Sequence, residues 1–147
     1  MNASGKCHCG EISYSFDKSK LISTHHCHCK DCQRSTGSGK ATILFVPKKY
    51  IKIKGILKFY ELKGSSGSHI QRGFCENCGS GILSYAKEIP HIHYIKAGAL
   101  DDSSWVKVDS NFFVDSAHDW NKPDNSIKSF NKNPSMISNI KTLIKSF

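Results

Sequence analysis

Seven cysteines, grouped as two pairs and one triplet, constrain this chain more than any other feature of its sequence. They fall in "CHCG" (Cys7, Cys9), "CHCKDC" (Cys27, Cys29, Cys32) and "CENCG" (Cys75, Cys78). An odd number in tight clusters does not make a disulfide framework, and in a reducing compartment it points to metal binding. Closely spaced thiols followed by glycine bend the backbone into a knuckle that aims both sulfurs at one ion. The glycine permits the tight turn, and backbone N–H groups bond to sulfur. The pairs Cys7/Cys9 and Cys75/Cys78 together supply the four ligands of a closed, structural zinc site, which leaves Cys27, Cys29 and Cys32. A metal held by three protein ligands keeps one exchangeable position, the mark of a catalytic site. A second partition stays open, in which one of the triplet shares a metal with His25, His26 or His28. The plain reading of each of these histidines is a polar surface residue or a hydrogen-bonding neighbour of the site.

A length of 147 residues suits one domain with a real hydrophobic core. The opening "MNASGKCHCGE" has no apolar run of the kind a signal peptide needs, and "ATILFV" is too short to span a bilayer, so a soluble, cytoplasmic protein is expected, with no membrane contact. The formal charge of +9 raises the question of nucleic acid. Its texture argues against that partner: of 21 basic residues only Arg34 and Arg72 are arginine, and the lysines are scattered without the aromatic interleaving of a single-strand binder. Seven thiolates with two zinc ions would also remove about three units of positive charge.

Short alternating segments predict a mainly β fold with little helix. "EISYSF", "KATILFV", "YIKIK" and "ILKFYEL" read as strands, punctuated by Pro47 and Gly55, and "GILSYA", "HIHYIKAG" and "VKVDSNFFV" add more. "GSSGS", Gly64–Ser68, reads as a flexible loop leading to "HIQRGF" and the last cysteine pair. The tail differs: Asn133 can cap, Pro134 suits a first helical position, and Met136, Ile137, Ile140, Leu143 and Ile144 share a helical face. The expected organisation is a zinc-binding domain over residues 1–130 and a short amphipathic helical tail over 131–147.

The segments "GKCHCGEISY", "HCHCKDCQRSTG", "RGFCENCGSGI" and "AGALDD", in this order, resemble the glutathione-dependent formaldehyde-activating enzyme family, whose domain also occurs in a centromere-associated animal protein. "FFVDSAHDW" is similar to the family's closing segment, and the likeness covers about residues 4–121. The resemblance implies a β-tent fold, in which small curled antiparallel sheets surround two Zn2+ ions. It assigns Cys7, Cys9, Cys75 and Cys78 to a structural zinc and Cys27, Cys29 and Cys32 to a catalytic one. The implied activity is that of a carbon-sulfur lyase joining the thiol of glutathione to formaldehyde, giving S-hydroxymethylglutathione. Where many members carry an apolar or aromatic residue, this chain has Lys40.

An open site of three thiolates is electron-rich and suits a thiol ligand, which would lose its proton on binding and attack a small aldehyde held beside it. His28, between two of the ligands, is the candidate proton relay. Arg34 follows Cys32 by two residues and Arg72 precedes Cys75 by three; as planar bidentate donors they are candidates for the two carboxylates of glutathione, or else for bracing the metal loops through backbone carbonyls. Lys40 would add a further charge at the mouth of the site. The reading is a zinc-dependent enzyme acting on a thiol and a small aldehyde. Its rival is a non-catalytic module, either a thiol carrier or a zinc-stabilised adaptor, and an adaptor would need only closed sites.

Overall fold

The computed structural model describes residues 1–64 and 67–132. Side-chain alternation sets its strands. In β2 (Ser13–Asp17) Tyr14 and Phe16 point inward, and β1 (Asn2–Lys6) pairs with it antiparallel while turning only Ala3 and Gly5 inward. Two such small residues carry almost no hydrophobic signal, which is why β1 escapes a reading by pattern. Together with β5 (Ile51–Lys54) they form a three-stranded sheet in the order β1-β2-β5.

The larger sheet has eight strands. It contains β3 (Ser23–Cys27), β4 (Ala41–Pro47), β6 (Lys58–Lys63), β7 (His69–Phe74), β8 (Gly81–Ala86), β9 (Ile92–Lys96), β10 (Ser110–Phe112) and β11 (Lys128–Ser129), ordered β11-β10-β3-β4-β9-β8-β7-β6. Most neighbours are antiparallel, as expected, but β10 runs parallel to both β3 and β11. Asp109 fixes that arrangement: its carboxylate accepts the Thr24 N–H at 2.8 Å and its own N–H donates to the Thr24 carbonyl at 2.8 Å. The strand expected over "VKVDSNFFV" accordingly shrinks to Ser110–Phe112, because Val106 closes a turn onto Ser103 and Asp109 is occupied at the sheet edge.

The strand β4 lies where two cores meet. Leu44 and Val46 face a large cluster with Phe16, Ile82, Leu83 and Ile95, while Ala41 and Ile43 face a second cluster that holds Cys27, Cys29, Cys32 and Phe112. A strand covered on both faces has a near-continuous apolar run, and "ATILFV" is that run. One α-helix, α1 (Lys30–Thr36), interrupts the β pattern between β3 and β4. The loop after β6 closes with Gly64 N–H donating to the Ser68 carbonyl at 2.7 Å. The helix expected near the C-terminus falls on residues 133–147, outside the described residues. Among the described residues no helix is long and apolar enough to cross a membrane.

Candidate metal centres and the cleft between them

The first cysteine group is assembled by two knuckles. At the N-terminal one, Cys7 N–H bonds the Ile12 carbonyl at 2.9 Å, Gly10 N–H bonds the Cys7 carbonyl at 3.1 Å, and Ile12 N–H donates to Cys7 Sγ at 3.2 Å. At the other, Gly79 N–H bonds the Cys75 carbonyl at 2.8 Å. Gly10 and Gly79 have φ of 83° and 77°, a conformation that a side chain would strain, so the glycine after each pair is required by the turn. Ser80 joins the two knuckles: its hydroxyl accepts the His8 N–H at 3.0 Å and donates to Cys78 Sγ at 3.2 Å. That bond, with the backbone groups around it, pulls the Cys78 thiol down to about 5. The sulfurs of Cys7, Cys9, Cys75 and Cys78 all lie within 4.8 Å of one another. Four converging thiols from distant segments fit a closed zinc site, and they tie the small sheet to the large one.

The second group is built differently. Cys27 ends β3 and Cys29 is the N-cap of α1, its sulfur accepting the Cys32 N–H at 3.3 Å, while Cys32 sits in the helix. Their sulfurs again lie within 4.8 Å of one another, and among the described residues no fourth histidine, cysteine or carboxylate joins them. The partition that draws a histidine ligand into the triplet therefore has no support in this arrangement. All three cysteines are buried among Ala41, Ile43 and Phe112. The thiols of Cys27 and Cys29 donate toward Cys32 and lower its pKa, with Lys96 and Arg72 acting in the same sense. The Cys27 thiol is pushed up, because it is held as the donor and is buried. A set of soft, closely spaced sulfurs fits a thiophilic divalent ion such as zinc.

The histidines of "HHCHC" are not surface residues. His25 lies between Phe112, stacked at 4.1 Å, and Phe45, with both ring nitrogens bonded to the Ser110 and Ser23 hydroxyls. His26 bonds Thr42 across the strand pair at 2.8 Å. His28 is fully buried, its backbone N–H extends the ladder to the Phe112 carbonyl at 3.0 Å, and neither of its ring nitrogens closes a hydrogen bond. Burial keeps its ring neutral, with Lys40 acting the same way, against the Gly39 backbone and Cys32, which favour the charged form. Gln33 secures α1 from behind: its amide donates to the His28 and Ser116 carbonyls at 2.9 and 3.0 Å, and its oxygen accepts from His118 Nε2 at 3.0 Å.

Beside the triplet opens a cleft of about 780 Å³. Ser35 and Thr36, which follow Cys32 on α1, line one side with Ala41, the pairing partner of Cys27; Gly79 and Gly81, from the far knuckle, line the other. Three cations reach it, Lys40, Arg72 and Lys96, with Arg72 donating to Ser35 Oγ at 3.3 Å. Arg34 is exposed on α1 and is not among the lining residues. Lys96 is the residue that sequence reasoning passed over. Its signal is a lysine in strand register directly between two buried apolar residues, Ile95 and Ala97. Burial pulls its pKa down, although the charge on Cys32 opposes this. The rest of "AGALDD" holds the site together, with Leu100 bridging to Gly5 and Asp101 bonding the Ser4 backbone and hydroxyl.

A crystal structure of a Rhodobacter sphaeroides protein, a structural-genomics target, superposes with a TM-score of 0.53 at 20% identity, covering 71% of this chain and 90% of that one. That likeness concerns the fold. No curated protein matches the sequence significantly. The family model described as glutathione-dependent formaldehyde-activating enzyme matches residues 2–116, a span that runs from β1 past both cysteine groups to the turn behind α1. With the match covering most of its length, the chain belongs to the glutathione-dependent formaldehyde-activating enzyme family.

Proposed function

We propose that this protein is a zinc-dependent carbon-sulfur lyase that adds a thiol, glutathione or a similar compound, to formaldehyde or a related small aldehyde. The observation that carries the reading is the triplet Cys27, Cys29 and Cys32, three thiols with no fourth donor among the described residues, beside a cleft lined by three cations. A purely structural metal would be expected to recruit a fourth side chain, and His28 is near enough to feel the charge of Cys32 yet stands outside the cluster. The structural ion belongs to Cys7, Cys9, Cys75 and Cys78.

Bound at the triplet, zinc would hold a thiol as its thiolate at neutral pH. The chain's own residues do the rest. Arg72, Lys40 and Lys96 hold carboxylates of the thiol compound and so fix where its sulfur lies. The aromatic surroundings of the triplet, Phe112 with Phe45 and Tyr94 behind it, exclude water on the opposite side. In the reaction a sulfur lone pair forms the new C–S bond, the carbonyl π pair moves to oxygen, and that oxygen takes a proton. His28, neutral and close to Cys32, is the group we assign to accept the thiol proton and return it.

The direct test is exchange NMR of glutathione and formaldehyde with zinc-loaded protein, which separates catalysed adduct formation from the spontaneous reaction. We expect acceleration that is lost in Cys29→Ser, weaker glutathione binding in Arg72→Lys, and unchanged binding in Arg34→Lys. Thiol binding without acceleration would make the protein a carrier. Absence of thiol binding would make it an adaptor.

A further inference from the structure

We infer that the cleft selects thiols by the negative charge they carry away from sulfur and leaves an α-ammonium group unrecognised, so that its ligand class is anionic thiols, with or without an amino group. This rests on the thiol-binding reading above and narrows it. Lys40, Arg72 and Lys96 come from three separate segments, and the described lining residues include no aspartate or glutamate. An amino-acid thiol brings an ammonium as well as a carboxylate, and an acidic side chain is what would offset the ammonium's repulsion by three cations.

Nor are the three cations already neutralised. The ion pairs among the described residues lie elsewhere, at Asp17, Glu76, Glu88 and Glu61. Asp124 feels the charge of Lys40 but is not within ion-pair distance of it, its carboxylate accepting instead from the Ser126 N–H and hydroxyl at 2.9 and 2.6 Å. Arg72 gives one N–H to Ser35, a neutral partner. Three thiolates and one divalent ion would carry a net charge of about −1, so Lys40 and Arg72 leave about one positive charge for the ligand to meet, and Lys96 adds a second when protonated. A thiolate with one further carboxylate meets them. An ammonium would subtract from that match, and its repulsion by three cations is strongest where water is excluded.

The walls leave room for such a ligand. A Cβ placed on Gly81 or Gly98 would meet nothing within 4 Å, so the space over these two glycines belongs to the cleft and not to packing.

The test is calorimetric titration of zinc-loaded protein with four small thiols whose charge outside sulfur differs: mercaptosuccinate, 3-mercaptopropionate, 2-mercaptoethanol and cysteamine. Affinities are referred to the thiolate present at the working pH, which removes differences in thiol acidity. The expected order is the order just given, with about a tenfold step per unit charge from cysteamine up to 3-mercaptopropionate and a smaller step to mercaptosuccinate, all shrinking in high salt. N-acetylation of glutathione is expected to leave its affinity equal or raise it. Lys96→Gln combined with Arg72→Gln should flatten the series, and should this variant not fold, the salt dependence of the unaltered protein decides alone. Equal affinities across the four thiols would overturn charge selection while leaving thiol binding intact. Weaker binding of N-acetylglutathione would show that the ammonium is read, which overturns the inference. Failure of 2-mercaptoethanol and all the others to bind would remove the thiol reading itself.

Discussion

Acidification should destabilise this fold through a histidine that plays no part in the cysteine sites. His93 lies in β9, is 6% exposed, stacks on Tyr85 at 4.9 Å, and has an Nδ1 that is buried without a partner. Burial, with Lys48 acting in the same sense, lowers its pKa from 6.5 to about 4. A depressed pKa means that the unfolded chain binds a proton more readily, so the stability linked to His93 is complete above about pH 6.5 and is lost as pH falls towards 4. With these two values the loss between pH 7 and pH 5 comes to about 2 kcal/mol. In a domain of this size that corresponds to roughly 6–10 °C in Tm. The assay is urea unfolding at pH 7 and pH 5 of the unaltered protein and of His93→Phe, which keeps a ring against Tyr85 and cannot titrate. Acid also releases thiolate-bound metal, but both proteins have the same cysteines, so the difference of the two pH slopes isolates His93. The slope should be shallower by about 2 kcal/mol in the variant. Parallel slopes would refute the argument.

Three further outcomes follow from the packing. Cys75→Ser, at a closed four-sulfur site joining two sheets, should give insoluble or unfolded protein, whereas Cys29→Ser keeps a side-chain oxygen to cap α1 and should stay folded with one zinc fewer; solubility and metal analysis check both. A Cβ on Gly5 would collide with the Ala99 carbonyl and the Tyr14 hydroxyl, so Gly5→Ala should cost about 1–3 kcal/mol in urea unfolding. Gly98→Val should fold normally, because nothing lies within 4 Å of the new Cβ, yet should weaken thiol binding about tenfold by filling the cleft.

Much of the fold was legible because apolar residues alternate where one sheet face is buried, as in "EISYSF", and run on where both are, as in "ATILFV". Two parts were not. The strand β1 buries only alanine and glycine, and α1 has no apolar stripe, since its buried residues are Cys32 and Gln33 and its ends are fixed by Cys29 and by Gly37 at φ 68°. Local sequence cannot announce a helix whose core-facing atoms are a sulfur and an amide. The division of the thiols was legible from counting, whereas the cleft was not, because Lys40, Arg72 and Lys96 approach one another only through the pairing of β4, β9, β8 and β7.

That dependence on pairing also explains why the two cysteine groups sit in such different surroundings. The group of four is made from turns at the ends of strands, and its sulfurs lie between a three-stranded sheet and the β7–β8 turn of an eight-stranded one; among the described residues no regular hydrogen-bond ladder connects the two sheets, only the Gly5–Leu100 bridge and single bonds beside the shared core. The triplet is held instead by a ladder, a cap and an amide: Cys27 by β3 pairing with β4 and β10, Cys29 as the helix cap, and Cys32 by the helix that Gln33 anchors to the His28 and Ser116 carbonyls. A scaffold that positions three thiols without needing a metal to hold it can lose or exchange a ligand and keep its shape. On the proposed function, chemistry at the triplet is separated from stability at the group of four, and mild chelation should reveal it: one ion leaves quickly with the fold intact, and the second leaves only as the protein unfolds. Simultaneous loss of both, with unfolding, would show that the triplet also depends on its metal.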